Sequence, residues 1–163
     1  MNNRLYWAKV KPEAKIPTKE EENAGYDIYA CFEEPYMLIP ANSTKLIPTG
    51  LACAMDAGYY LQLEERGSTG SKGIKRSAGV VDSGYRGEIF VALSNVNDKD
   101  LYIIKDEEAD IVAPGAIAYP YTKAIAQAII HIVPTMDCQE ISYEELKAIP
   151  SKRGSGSLGS SGK

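Results

Sequence analysis

Two glycine-containing segments combine the residue types that can surround a phosphate group. Residues 24–27 read Ala-Gly-Tyr-Asp, and residues 65–73 hold three glycines, three hydroxyl side chains and the cations Arg66 and Lys72. Glycine permits close backbone approach, and N–H groups, hydroxyls and cations donate hydrogen bonds to phosphate oxygens. The second segment is not a P-loop, because the order GxxxxGK[ST] is absent. Together they predict a site for a small anion.

A third segment, residues 79–88, presents one carboxylate, Asp82, and one aromatic ring, Tyr85, in a stretch that we predict to be hairpin-like. An ordinary Asp has a pKa of about 3.9, so Asp82 is ionised at neutral pH and available as a general base. Simpler interpretations also exist. Asp82 could merely form a turn, Tyr85 could be a packing residue, and Arg66 could form a surface ion pair. Taken one at a time, these interpretations are the favoured ones.

The composition is that of one soluble globular domain. The chain has 163 residues, of which 44% are hydrophobic and 25% charged, with a net charge of −4. This charge argues against a protein that coats nucleic acid or an anionic membrane. No apolar run approaches membrane-spanning length, the N-terminus lacks a signal core, and the three cysteines form no CxxC pair. We predict a cytoplasmic protein without a nucleic-acid or membrane partner.

Short apolar runs between turn residues predict an all-β sandwich or barrel. One short helix is predicted over residues 142–148, because Ser142 and Glu145 form a capping-box pattern and Pro150 ends the turn. Residues 1–150 form the predicted β domain. Residues 151–163 are a Gly/Ser-rich tail whose composition is typical of a flexible linker or a tag remnant. The predicted strand runs are 5–10, 36–39, 44–47, 59–63, 89–93, 101–104, 116–119 and 125–133.

The segment 79–88 closely resembles the third of the five sequence motifs of the dUTPase family. The other four follow in family order: 24–27 resembles motif one, 66–69 motif two, 125–127 motif four, and 153–162 motif five. The resemblance therefore spans nearly the whole chain, and five ordered motifs are a much stronger signal than any one of them. In this light the tail resembles the mobile C-terminal arm of the family.

The resemblance implies a distorted jelly-roll β domain that assembles as a homotrimer with shared active sites. One subunit contributes motif three, a second the phosphate motifs, and the third the arm. The implied enzyme is dUTP diphosphatase, a Mg²⁺-dependent nucleotidohydrolase acting on acid anhydrides. It converts dUTP to dUMP and pyrophosphate, which keeps uracil out of DNA and supplies dUMP for dTMP synthesis.

The resemblance also assigns roles on the uracil and sugar side. Asp82 activates the water that attacks the α-phosphorus. Tyr85 packs against deoxyribose and excludes a 2′-hydroxyl. The backbone at Val80 and Val81 reads the uracil edge, and Arg76 stands where the family commonly has a polar uracil neighbour.

On the phosphate side, the resemblance assigns Arg66 and Ser68 to the phosphates and Gln127 to a phosphate oxygen. Asp27 orders the water shell of Mg²⁺, an ion that keeps several waters while bridging phosphates. Arg153 clamps the terminal phosphates when the arm closes.

Three of the motifs depart from the family pattern, and in motif four Tyr121-Thr122-Lys123-Ala124 replaces the usual Gly-acid-Arg lead-in. Gly67 replaces the serine of motif two, so Ser68 supplies the hydroxyl instead. Leu158 stands where the arm normally carries a phenylalanine that stacks on uracil. We hypothesise that Phe90 supplies this aromatic cover, with Leu158 as a weaker lid. The alternative, that Phe90 is a core strand residue, is about equally favoured.

Two other functional classes compete with a dUTPase. A dCTP deaminase, or a bifunctional deaminase–dUTPase, has the same fold and uses a glutamate beside the base, for which Glu88 is a candidate. A non-catalytic regulatory protein would bind dUTP or a protein partner but should have lost the base or the arm. Asp82, Arg153 and the sequence Asp-Ser-Gly-Tyr-Arg-Gly favour dUTPase over both.

Overall fold

The computed structural model describes residues 4–105 and 110–156. Every apolar run predicted as a strand overlaps a strand of the structure. Alternation of buried and half-exposed residues explains why: in the strand Tyr59–Glu64, Leu61 and Leu63 are buried while Gln62 is half-exposed. A period of two places every second side chain on the same sheet face, so this pattern fits a strand with one face on the core.

The described residues form twelve strands and two short helices, and the mostly β fold confirms the predicted class. The helices are α1 (Gly67–Gly70) and α2 (Tyr143–Ala148). The strands are β1 (Leu5–Lys9), β2 (Gly25–Ile28), β3 (Tyr36–Ile39), β4 (Ser43–Pro48), β5 (Leu51–Met55), β6 (Tyr59–Glu64), β7 (Ile74–Ala78), β8 (Val80–Asp82), β9 (Phe90–Asn95), β10 (Leu101–Ile104), β11 (Ile117–Pro120) and β12 (Ala126–Ile132).

The strands form four small sheets, in the orders β1-β5, β11-β10-β3, β2-β12-β6-β8 and β4-β9-β7. Pairing is antiparallel except between β10 and β11. Neighbours in a sheet are seldom neighbours in sequence, as expected for a jelly-roll type of fold. The main core lies between the sheets. Its most completely buried members include Ile28, Leu61, Leu63, Leu93, Ile103 and Ile125.

The sheet β2-β12-β6-β8 brings the candidate site segments together. Its central strand β12 pairs Gln127 with Asp27 of β2 on one side and with Glu64 of β6 on the other. At the opposite edge, β8 pairs Asp82 with Tyr60 of β6. One sheet therefore carries motif one, motif four and the beginning of motif three.

The segment 79–88 is not a hairpin, because its two flanking strands do not pair with each other. β8 pairs with β6, whereas β9 pairs with β4 and β7 in a different sheet. The prediction of a hairpin-like segment was wrong in this respect. The segment is instead a connection between two sheets, and this opens a space between Asp82 and Phe90.

The predicted helix is present as α2, with Ser142 as its N-cap. The Glu145 backbone N–H donates to Ser142 Oγ at 3.2 Å, and the Ser142 backbone N–H donates to Glu145 Oε2 at 2.8 Å. The structure adds α1, a single turn that the sequence analysis did not predict. Every described residue from Ile130 to Gly156 is exposed. In the described ranges, no helix is long and apolar enough to cross a membrane.

Candidate functional site

The first half of the candidate site is a cavity of about 390 Å³, here called the phosphate-side cavity. Of the predicted site residues it is lined by Asp27, Arg66 and Ser68. Six further residues complete its lining: Tyr29, Lys72, Tyr119, Thr122, Lys123 and Ala124. The lining contains three cations and several hydroxyls but a single carboxylate, and this composition suits a multiply charged anion.

A short turn after β6 places Arg66 and Ser68. Arg66 is the extended N-cap residue of α1, and the buried Thr69 closes the turn. Thr69 Oγ1 accepts from the Arg66 backbone N–H at 3.1 Å and donates to Arg66 O at 3.0 Å. Gly67 and Ser68 are exposed at the beginning of the helix, and no atom lies within 4 Å of a β-carbon placed on Gly67. The turn therefore leaves backbone and hydroxyl open to a ligand.

Arg66 is held across the phosphate-side cavity by an ion pair with Asp27. Arg66 Nε lies 3.1 Å from Asp27 Oδ1, and both side chains are about one-third exposed. Burial raises the pKa of Tyr119, although the nearby Arg66 cation opposes the shift. The Tyr119 phenol therefore stays protonated at neutral pH and donates to Ala124 O at 2.7 Å. The ion pair and this hydrogen bond each hold one side chain of the cavity wall in place.

Gln127 lies beside this cavity rather than in its lining. Its Nε2 donates to Glu65 O at 3.0 Å, which holds the amide against the turn that carries Arg66. Gly25 on the adjacent strand leaves the space for it, because a β-carbon there would lie 2.7 Å from Gln127 Oε1. The position is set by packing on both sides of the central strand.

The second half of the candidate site is a cavity of about 250 Å³, here called the Asp82 cavity. Its lining includes the predicted site residues Val80, Val81, Asp82, Tyr85 and Phe90, together with Glu88 and Ile89. Asp82 ends β8 and is exposed to solvent. An accessible carboxylate at a cavity edge can accept a proton from water.

Tyr85 forms a fixed wall of the Asp82 cavity. Its hydroxyl donates to Glu88 O at 2.8 Å, and its ring lies against Gly87, where a β-carbon would come within 2.7 Å of Tyr85 Cζ. The side chain remains 45% exposed. The ring is therefore anchored at its hydroxyl end and free to contact a ligand.

Phe90 lies at the mouth of the same cavity, where β9 begins. It is 42% exposed and is absent from the core cluster, whereas the next five residues of β9 are buried.

Val80 is 65% exposed and Val81 is 7% exposed. Val81 can therefore offer a ligand mainly its backbone. The Glu88 carboxylate, although it lines the cavity, accepts the Gly50 backbone N–H at 2.8 Å.

Three further predicted residues, Gly67, Arg76 and Arg153, line neither cavity. Arg76 donates to Glu64 Oε2 from Nη2 at 2.7 Å and from Nε at 3.1 Å. Arg153 is exposed on the segment after α2, and its Nε donates to Gly156 O at 3.0 Å. Leu158 lies outside the described residues.

His131 stacks on Tyr60 with 5.2 Å between ring centroids, a packing contact on the sheet face.

Sequence reasoning missed one cation, Lys123, and the hydroxyls of Tyr29, Tyr119 and Thr122 in the lining of the phosphate-side cavity. Lys72 was named with Arg66 as a cation that can bind phosphate, although it was given no separate role in the site. Thr122 and Lys123 gave no signal, because they belong to the loop between β11 and β12, which the fold brings opposite Arg66. Burial of Tyr119 is a tertiary property that its sequence neighbours do not reveal.

The phosphate-side cavity fits a Mg²⁺ ion that arrives with phosphates and waters. The described residues contain no cluster of three or more His, Cys, Asp or Glu side chains that could hold a metal ion. Asp27 is the single carboxylate in the lining of this cavity. Mg²⁺ usually keeps several waters and takes one or two carboxylates plus substrate phosphates. The donor set matches that mode of binding rather than an all-protein cage.

Comparison with known proteins gives a consistent result. A sequence model of the family described as dUTPase matches residues 12–109. The deoxyuridine 5'-triphosphate nucleotidohydrolase of Candida albicans is 35% identical over 154 residues, covering 93% of this chain and 84% of the relative.

Two solved structures share the fold. The dUTPase of Staphylococcus bacteriophage 80alpha with dUPNHPP has a TM-score of 0.79 at 23% identity, covering 99% of this chain and 100% of that one. A mutant dUTPase from phage phi11 of S. aureus, described for its coordination of a structural Mg(II) ion, has a TM-score of 0.68 at 19% identity, covering 87% and 99%. From the family match and the identity to the nucleotidohydrolase of Candida albicans, we conclude that this chain belongs to the dUTPase family, the enzymes known as dUTP diphosphatases.

Proposed function

We propose that the chain hydrolyses dUTP to dUMP and pyrophosphate with Mg²⁺. The observation that carries this proposal is the division of the site into two chemically distinct cavities. One offers a carboxylate and two aromatic rings, and the other offers three cations and hydroxyls. A nucleoside triphosphate has matching halves: a base and sugar next to the reacting α-phosphorus, and a polyanionic tail.

Asp82 is the proposed general base. Its carboxylate accepts a proton from a water molecule, whose oxygen attacks the α-phosphorus while the bond to the bridging oxygen of the leaving pyrophosphate breaks. General-base help contributes roughly 10²–10⁴ in rate. The larger part of the acceleration comes from holding the triphosphate in line and neutralising its charge.

Base and sugar selection belong to the Asp82 cavity. The anchored ring of Tyr85 is the proposed wall against a 2′-hydroxyl, because its hydrogen bond to Glu88 O limits its movement. The backbone of Val80 and Val81 is the proposed reader of the uracil edge. The exposed ring of Phe90 supports the hypothesis that it covers the uracil, with Leu158 of the arm above it.

The triphosphate is the proposed ligand of the phosphate-side cavity. Arg66, Ser68 and the backbone of Gly67 donate to its oxygens, and the neighbouring Gln127 donates to one more. Mg²⁺ carried by the triphosphate would neutralise phosphate charge and hold the oxygens in a fixed arrangement. Asp27 orients Arg66 through the 3.1 Å ion pair and is the proposed acceptor for metal-bound water. Arg153 closes over the terminal phosphates.

We further propose a homotrimer whose active sites are shared between subunits. The two cavities share no lining residue within one chain, which supports completion of each site by a neighbour. The segment from Ile130 to Gly156 is exposed throughout and includes apolar residues such as Met136 and Leu146. Such a segment is suited to contact another subunit. The arm that follows it would then reach an active site formed by the other two subunits.

The proposed cellular role is removal of dUTP and supply of dUMP for dTMP synthesis, in the cytoplasm and without a nucleic-acid or membrane partner. The net charge of −4 and the absence of any CxxC pair support this setting.

The deciding experiment measures pyrophosphate release from dUTP, dCTP, dTTP and UTP with Mg²⁺. The test variant is Asp82→Asn, and the matched control is Asp56→Asn, an exposed carboxylate in the turn before β6. We expect turnover of dUTP alone, lost in Asp82→Asn and kept in Asp56→Asn. Ammonia release from dCTP would assign the chain to the deaminases. Binding of dUTP without turnover of any nucleotide would assign it a regulatory role.

A further inference from the structure

An ion pair outside both cavities connects β6, which leads into the Arg66 turn, with β7, which leads towards the Asp82 cavity. Arg76 on β7 donates twice to one carboxylate oxygen of Glu64, at 2.7 Å and 3.1 Å, and its Nε lies 3.9 Å from Glu65 Oε2. Both side chains of the closer pair are roughly 30% exposed, at 27% for Arg76 and 31% for Glu64. The pair is part-buried and makes two hydrogen bonds, which distinguishes it from a freely solvated surface contact.

On one side, this pair supports the backbone that leads into the Asp82 cavity. A β-carbon on Gly79 would lie 3.2 Å from Arg76 Cδ and 2.5 Å from Leu63 O. The Leu63 backbone N–H also donates to Gly79 O at 2.7 Å. Gly79 is therefore confined between β6 and the Arg76 side chain. Val80, the next residue, begins the segment proposed to read the base.

On the other side, the pair lies beside the residues of the phosphate half. Glu64 is the register partner of Gln127, and the Gln127 amide donates to Glu65 O. Arg76 thus contacts the two acidic residues that lead into the Arg66 turn. Its cation also neutralises carboxylates that would otherwise repel a polyanion nearby.

We propose that Glu64 and Arg76 are positioning residues: the pair fixes the Gly79–Val80 backbone so that it can bind the uracil edge, without touching the substrate. This inference rests on the proposed function, and it gives Arg76 a role other than direct contact with uracil. Asp82 is held separately, by its pairing with Tyr60. Loss of the ion pair should therefore weaken dUTP binding more than it slows the chemical step.

The test compares Glu64→Gln, Arg76→Gln and the charge-swapped double variant Glu64→Arg/Arg76→Glu. The control is Lys75→Gln, which removes one exposed cation from the same strand. Each single variant should raise KM for dUTP roughly tenfold, as expected for loss of a hydrogen bond between charged groups, with kcat changed less than about twofold. The charge swap should recover most of this loss, and the control should match the wild type.

Amide hydrogen exchange of Val80 and Val81 gives a second readout that does not need activity. Exchange should accelerate in both single variants and slow again in the charge swap. Unchanged exchange and KM in Glu64→Gln would overturn the proposal. Impaired single variants without recovery in the swap would also overturn it, because Arg76 would then act on the substrate itself. If the wild type does not hydrolyse dUTP, the proposed function is wrong. The comparison of amide hydrogen exchange between the variants still tests the role of the ion pair.

Discussion

Replacing Gly79 with alanine should damage the site by displacing backbone rather than by removing a functional group. The added β-carbon would lie 2.5 Å from Leu63 O and 2.7 Å from Gln62 Nε2. The Gln62 side chain can move, but the carbonyl is backbone of β6, where Leu63 pairs with Ala128 of β12, and it cannot yield without disturbing the sheet. The strand β8 must therefore shift away from β6, and Val80 shifts with it.

The expected destabilisation follows from three contributions. Overpacking costs about 1–3 kcal/mol, and weakening the hydrogen bond from the Leu63 N–H to Gly79 O costs about 0.5–1.5 kcal/mol. Alanine also lowers the conformational entropy of the unfolded chain, which stabilises the folded state by about 0.4–1 kcal/mol. The net loss is about 0.5–4 kcal/mol, which for a domain of this size lowers the melting temperature by roughly 1–16 °C.

The assay combines thermal unfolding with dUTP hydrolysis, and Gly58→Ala is the matched control. No atom lies within 4 Å of a β-carbon on Gly58, and its φ is not in the left-handed region. The control should keep or slightly raise the melting temperature and keep KM. Gly79→Ala should lower the melting temperature and raise KM. Equal behaviour of the two variants would refute the argument that close backbone approach at Gly79 positions the base-reading segment.

Three further predictions concern single side chains. Phe90→Ala should raise KM for dUTP in steady-state kinetics, because the exposed ring no longer covers the base; an unchanged KM would end that hypothesis. Tyr85→Ala should relax discrimination between dUTP and UTP by up to about 10², the margin that a wall against one hydroxyl supplies; undiminished discrimination would assign sugar selection elsewhere. Hydrogen bonds from Ser142 lower the pKa of Glu145 below its ordinary value, so their contribution to α2 is present above the unfolded-state pKa and lost as pH falls through the folded-state pKa. A carboxyl titration followed by NMR should show this lowered pKa and its partial return towards the ordinary value in Ser142→Ala, which removes the hydroxyl donor and keeps the backbone N–H donor.

Much of the fold could be predicted from local patterns. Alternation in β6 and the Ser142–Glu145 capping box act within a few residues, and both are present in the structure. Partner choice between strands is not local. The strands that flank residues 79–88 belong to different sheets, because β8 pairs with β6 whereas β9 pairs with β4 and β7, and the turn residues between them do not indicate this.

The residues of the candidate site also fall into those that the sequence predicted and those that only the fold reveals. The resemblance of five short motifs selected Asp27, Arg66, Asp82 and Tyr85, and the structure lines its two cavities with them. Lys123 was not predicted, because it belongs to a loop distant in sequence from Arg66. The ion pair of Arg76 was also missed, since an arginine and a glutamate twelve residues apart become partners only once β6 and β7 are placed.

Subunit complementation tests most directly whether two half-sites on different chains together hydrolyse dUTP. Asp82→Asn and Arg66→Gln are purified separately, then unfolded, mixed and refolded together, and pyrophosphate release from dUTP is measured. Each variant alone should be nearly inactive, and the mixture should recover activity because some sites then combine an intact Asp82 with an intact Arg66. The control mixes Asp82→Asn with the double variant Asp82→Asn/Arg66→Gln, which should recover none. Mixed oligomers that remain as inactive as either parent would contradict the shared site.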